Sequence, residues 1–92
     1  MKFLDTNVIL RYLTRDDPAK AQACFELLQR VKTGEEVLTT CEAVIAEVVY
    51  VLSSTKQYRL SRDDVRARLV PILSLKGLHL PFQRVYLQAL DL

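Results

Sequence analysis

Residues 1–7 have the sequence MKFLDTN, in which a short apolar run gives way to the polar tripeptide Asp5-Thr6-Asn7. Helical spacing of apolar residues begins directly afterwards, so Asp5 is expected at a turn from a strand into a helix. In an open α/β sheet that turn lies at the carboxyl edge, where ligands bind in a crevice. The sequence therefore predicts that the carboxylate of Asp5 lies at a binding crevice. Core packing does not explain an acid at this position.

The remaining chain alternates strand-like and helical segments without repeats or low-complexity linkers. Strands are predicted at residues 2–5, 37–38 and 78–80. Helices are predicted over 7–14, from Pro18 to about 32, over about 41–54, from the Ser61 cap to 73, and from Pro81 onward. Pro71 is expected to kink or split the fourth helix because it lacks a backbone donor. The order β-α-α-β-α-α-β-α predicts one small domain with a parallel, doubly wound sheet.

Composition excludes several classes of protein. Half of the residues are hydrophobic, which argues against disorder, and the net charge of +2 is too mild to indicate nucleic-acid binding by itself. Cys24 and Cys41 lack the paired spacing of a disulfide framework and are interpreted as buried thiols in a reducing compartment. The apolar stretch 44–52 is too short to cross a membrane, and the opening run is too short for a signal peptide. We therefore predict a cytoplasmic protein.

A second acid, Glu47, interrupts the apolar helix predicted over residues 41–54. On a helical wheel it borders the apolar face, and a carboxylate desolvated there without a partner would cost free energy. If Asp5 and Glu47 face one crevice, they suit Mg²⁺ or Mn²⁺, which proteins often hold with one or two carboxylates. Two plainer interpretations remain open, in which Asp5 caps a helix and Glu47 is a surface charge.

Other polar residues give weaker signals. His79 is interpreted as a polar residue on a short strand. The arginines at positions 62, 66 and 68 are interpreted as a solvated helix face, with contact to RNA phosphates as the alternative.

Two segments resemble a known family. Residues 4–8, LDTNV, and residues 39–52, TTCEAVIAEVVYVL, are similar to a PIN domain, and more narrowly to the toxin nuclease of bacterial VapBC-type toxin–antitoxin pairs. The resemblance extends over essentially the whole chain. It implies a three-layer PIN-like α/β fold, in which a short parallel sheet is flanked by helices.

The resemblance also implies a function. It suggests a Mg²⁺-dependent (or Mn²⁺-dependent) endoribonuclease with Asp5 and Glu47 as the catalytic, metal-binding acids. Thr6 and Asn7 would lie beside the metal and support its water or the substrate. RNA would be the substrate, and a cognate antitoxin protein would bind over the acidic pocket.

The sequence also departs from the family pattern. PIN nucleases carry a third and usually a fourth acid near the start of a helix that follows the last one here, and then further strands. Asp91 is the one late acid in this sequence. We therefore expect residues 1–92 to form a single partial PIN-like domain that lacks the last strands. Strand one would then be an edge that pairs in a homodimer or higher oligomer.

Two other functions compete with the nuclease interpretation. One is a catalytically impaired or inactive PIN-like module for interaction or oligomerisation, which the missing late acids favour. The other is a phosphatase of the haloacid dehalogenase kind, which also places an acid after strand one. That chemistry needs a second Asp two residues further on, and Asn7 at that position cannot transfer the proton.

Overall fold

The computed structural model describes residues 2–54, 58–81 and 88. The elements are β1 (Lys2–Phe3), α1 (Thr6–Thr14), α2 (Pro18–Thr33), β2 (Leu38–Thr39), α3 (Glu42–Ser54), α4 (Arg62–Leu73) and β3 (Leu78–His79). This is the predicted order as far as the third strand. The helix predicted from Pro81 onward and the late acid Asp91 lie outside the described residues.

Three short parallel strands form one sheet in the order β1-β2-β3. Lys2 lies opposite Leu38, and Leu38 lies opposite Leu78. Since the strands are parallel, their carboxyl ends meet at one edge of the sheet. Within the described part of the chain β1 pairs only with β2, so it is an edge strand, as predicted. The α/β fold with a short parallel sheet and flanking helices is confirmed.

One hydrophobic core joins the helices to the sheet. The α3 helix contributes Val44, Ile45, Val48 and Leu52, the face that the helical wheel predicted. The side chains of Leu4, Ile9 and Leu69 are at most 1% exposed, and burial of each stabilises the fold by roughly 1.5–3 kcal/mol. Among the described helices, none combines the length and apolar character needed to cross a bilayer.

Helix ends largely follow the predicted caps. The Asp17 carboxylate accepts the backbone N–H of Lys20, and the Ser61 hydroxyl accepts that of Asp64. Gly34 ends α2 with a φ of 83°, a left-handed conformation that glycine adopts without steric cost.

Two helices differ in local detail from the simplest prediction. The α1 helix begins at Thr6, one residue before the predicted start, and Asp5 caps it, as one of the interpretations left open by the sequence holds. The α4 helix is not split at Pro71 but runs on to Leu73. The proline lies in the last turn, so its missing donor affects little of the helix, and Ser74 N–H still reaches Val70 O at 3.1 Å.

Gly77 holds the turn into β3 against the end of α2. Its N–H donates to the carbonyl of Val31 at 2.8 Å. A Cβ at this position would lie 2.2 Å from the backbone oxygen of Glu36. Only glycine fits such a close backbone approach, which positions β3 beside β2.

Candidate metal centre

Backbone bonds fix the position from which Asp5 leaves the sheet. Leu4 N–H donates to the Thr39 carbonyl at 2.7 Å, and the buried Thr40 hydroxyl donates to the Leu4 carbonyl at 2.9 Å. Both backbone groups of Leu4 are thus bonded, the N–H to β2 and the carbonyl to the side chain of the residue that follows β2. Asp5 follows at the carboxyl edge of the sheet, where the sequence predicts it.

The Asp5 carboxylate caps α1. Its Oδ1 accepts the backbone N–H of Val8 at 3.1 Å, which satisfies one of the free donors at the start of the helix. The side chain is exposed, and no other donor among the described residues bonds to it. Capping uses one oxygen, so the other can still serve as a ligand, and the two interpretations of Asp5 are compatible.

A side-chain hydrogen bond joins this turn to α3. The Thr6 hydroxyl donates to Oε2 of Glu47 at 3.0 Å, between residues 41 positions apart in the sequence. Thr6 is buried, at 8% exposure, while the Glu47 side chain reaches solvent. The bond restricts the rotamers of Glu47, and because Thr6 directly follows Asp5 it brings both acids to the same region. The family resemblance implies a supporting role for Thr6, but it does not predict this partner.

Asn7 lies at the second position of α1 and is exposed. It lines a cleft of about 250 Å³ together with Arg11 and Lys20. No side-chain hydrogen bond to Asn7 is formed within the described part of the chain, so its amide is available to a ligand.

Two charged side chains at α1 affect the pKa of the buried thiol of Cys24 on α2. Burial raises the pKa of Cys24, the positive charge of Arg11 lowers it, and the negative charge of Asp5 raises it. Arg11 and Asp5 therefore both act on the same thiol. Sequence reasoning missed Arg11, although its spacing of four residues from Asn7 places the two on one helix face.

The residues at this edge have the donor chemistry of a hard divalent cation. Asp5 and Glu47 supply carboxylate oxygens, and Asn7 adds an amide oxygen, all exposed to solvent. Mg²⁺ favours such oxygens and is often held by one or two carboxylates, with waters and substrate phosphates completing its shell. Within residues 2–54 and 58–81, no group of three or more His, Cys, Asp or Glu side chains is assembled. The residues fit a cation held by two acids.

Comparison with known proteins gives one match. A family model described as "PIN domain" matches residues 2–91, a range that includes both Asp5 and Glu47. No curated protein and no solved structure matches the chain.

Proposed function

Because the chain belongs to the PIN domain family, whose members are generally nucleases, we propose that it is a Mg²⁺-dependent endoribonuclease that hydrolyses RNA phosphodiesters. The observation that carries the proposal is the hydrogen bond from Thr6 to Glu47, since it brings the second acid to the turn that carries Asp5. PIN domains generally use divalent metal ions, which agrees with the oxygen donors of this edge.

Each residue has a defined task in this proposal. Asp5 and Glu47 hold the cation through their carboxylates, and Thr6 keeps Glu47 in one orientation. The Asn7 amide binds a phosphate oxygen or the attacking water beside them. The cation, Mg²⁺ or Mn²⁺, supplies activation of that water and stabilisation of negative charge on the phosphate.

A biological setting follows from the two quoted segments, which resemble a VapC-type toxin. We propose that the protein is the cytoplasmic toxin of a type II toxin–antitoxin pair, and that its antitoxin binds over the acids. The β1 edge supports a homodimer or higher oligomer, because Lys2 and Phe3 are both exposed there and Phe3 is 54% exposed. A monomer in light scattering at micromolar concentrations would contradict the oligomer.

Cleavage of short RNA with Mg²⁺ or Mn²⁺ tests the proposed activity. Asp5→Asn and Glu47→Gln each remove a ligand charge with little change in shape, and we expect at least about a hundredfold loss in rate. Glu42→Gln is the matched control, since Glu42 is an exposed acid on the same helix. Unchanged cleavage by Asp5→Asn would contradict the assignment.

The second candidate function is a binding module without catalysis. It is favoured by the finding that, within the described ranges, no third acid joins Asp5 and Glu47. A wild-type protein that binds RNA without cleaving it in either metal would support this alternative.

A further inference from the structure

Arg11 lies on α1, one helical turn beyond Asn7 and on the same helix face. It follows Asn7 by four residues and Asp5 by six, which corresponds to about 6 Å and about 9 Å along a helix. Both Asn7 and Arg11 line the cleft of about 250 Å³. The opposite effects of Arg11 and Asp5 on the pKa of Cys24 agree with this proximity. A strand held at Asp5 can therefore continue past Asn7 to Arg11.

The guanidinium of Arg11 is available to a ligand. Its side chain is exposed, and no carboxylate of a described residue lies within ion-pair distance of it. By contrast, Arg30 elsewhere on the surface is paired with Glu36 at 3.4 Å. An unpaired arginine beside a candidate metal site provides a fixed positive charge and a planar set of donors that suits phosphate.

Two acids also line this cleft. Asp17 caps α2, while Asp16 accepts a hydrogen bond from the hydroxyl of Tyr58. The negative charges of these two acids offset the positive charges of Arg11 and Lys20. The cleft therefore has no net positive charge from these four residues that would attract anions throughout. Phosphate binding is therefore favoured at Asn7 and Arg11 themselves, which share one face of α1.

We propose that Arg11 binds a backbone phosphate of single-stranded RNA, next in the strand to the phosphate at Asp5 and Glu47. This inference rests on the proposed ribonuclease function and adds a substrate contact to it. A phosphate contact positions the strand without reading its bases, so Arg11 contributes to affinity equally for all sequences.

Binding of short fluorescent oligouridylate and oligoadenylate to the 92-residue chain tests the proposal. Anisotropy is measured in EDTA, so that no cleavage occurs, over a series of potassium chloride concentrations. For Arg11→Gln we expect about tenfold weaker binding of both oligonucleotides at low salt. We also expect a change in the slope of the logarithm of the binding constant plotted against the logarithm of the salt concentration. The slope should become shallower by about 0.7, the change expected when the protein neutralises one phosphate fewer on a single strand. Arg11→Lys retains the slope because the charge remains.

Arg30→Gln on α2 is the matched control, since it removes the same charge from an exposed helix position that is paired with Glu36. The proposal is overturned if Arg11→Gln leaves the slope unchanged, if Arg30→Gln changes it equally, or if only one oligonucleotide loses affinity. Cleavage assays on the same proteins test the ribonuclease function separately from the phosphate contact of Arg11. Cleavage that depends on Asp5 while Arg11→Gln binds normally leaves the nuclease proposal standing and removes only the role of Arg11.

Discussion

Thr6 donates a hydrogen bond to Oε2 of Glu47 at 3.0 Å, and this bond links α1 to α3 beside the exposed carboxylate of Asp5. Groups that orient a metal ligand typically change metal affinity or activity by about 10- to 100-fold when removed. Thr6→Val, which replaces the hydroxyl with a methyl group, should therefore raise the Mg²⁺ concentration needed for half-maximal cleavage about tenfold. Thr6→Ser keeps the hydroxyl and should restore most of the metal affinity. Equal metal dependence of Thr6→Val and wild type would show that the bond has no part in metal binding.

The two roles of Asp5 can be separated by substitution. Asparagine caps helices as well as aspartate does, whereas alanine at an N-cap costs about 0.5–2 kcal/mol. We expect Asp5→Asn to keep wild-type stability in urea unfolding and Asp5→Ala to lose about 1 kcal/mol. Both variants should lose metal-dependent cleavage. A large loss of stability in Asp5→Asn would mean that the negative charge itself stabilises the fold.

Gly77 is predicted to be the less replaceable of the two glycines. An added Cβ would lie 2.2 Å from the Glu36 carbonyl oxygen and 2.9 Å from that of Val31, so the backbone must move. Gly77→Ala should destabilise the protein by about 3 kcal/mol or more. In Gly34→Ala the nearest atoms belong to the flexible Lys76 side chain, and the positive φ should cost about 1 kcal/mol. The free energy of unfolding in urea distinguishes them, and the reverse order would contradict the close approach of β3.

The buried thiol of Cys24 should report on both neighbouring charges. Arg11 lowers its pKa and Asp5 raises it, so Arg11→Gln should raise the pKa further and Asp5→Asn should lower it. The ultraviolet absorbance of the thiolate, followed against pH in a Cys41→Ser background, measures these shifts. Identical titrations of the two variants would place the charges farther from the thiol than the structure does.

The same thiol has a consequence for stability against pH. Burial raises its folded-state pKa, so the folded protein binds the proton more tightly than the unfolded chain. The stabilisation is complete below the unfolded pKa of about 8.5 and decreases as the pH rises above it. Urea unfolding at alkaline pH should show a smaller decrease in stability when Cys24 is replaced by alanine.

Periodicity together with cap residues and prolines was enough to predict the element order as far as the third strand, the core face of α3 and most helix ends. The sequence left the first cap open, because Asp5, Thr6 and Asn7 are all residue types that cap helices, and the backbone geometry selects Asp5. The two acids were singled out because each departs from an apolar pattern. The bond between Thr6 and Glu47 depends on how α1 packs against α3, and no sequence pattern encodes that packing. Arg11 was missed since an exposed arginine on a helix is usual.

The central claim is that Asp5 and Glu47 together hold one divalent cation. Titration of the protein with Mn²⁺, followed by electron paramagnetic resonance of the free ion, measures that binding without any cleavage. We predict that the wild type and Glu42→Gln bind one Mn²⁺ per chain with the same affinity, and that Asp5→Asn and Glu47→Gln each bind at least about tenfold more weakly. Undiminished binding in either of the last two variants would contradict a shared site.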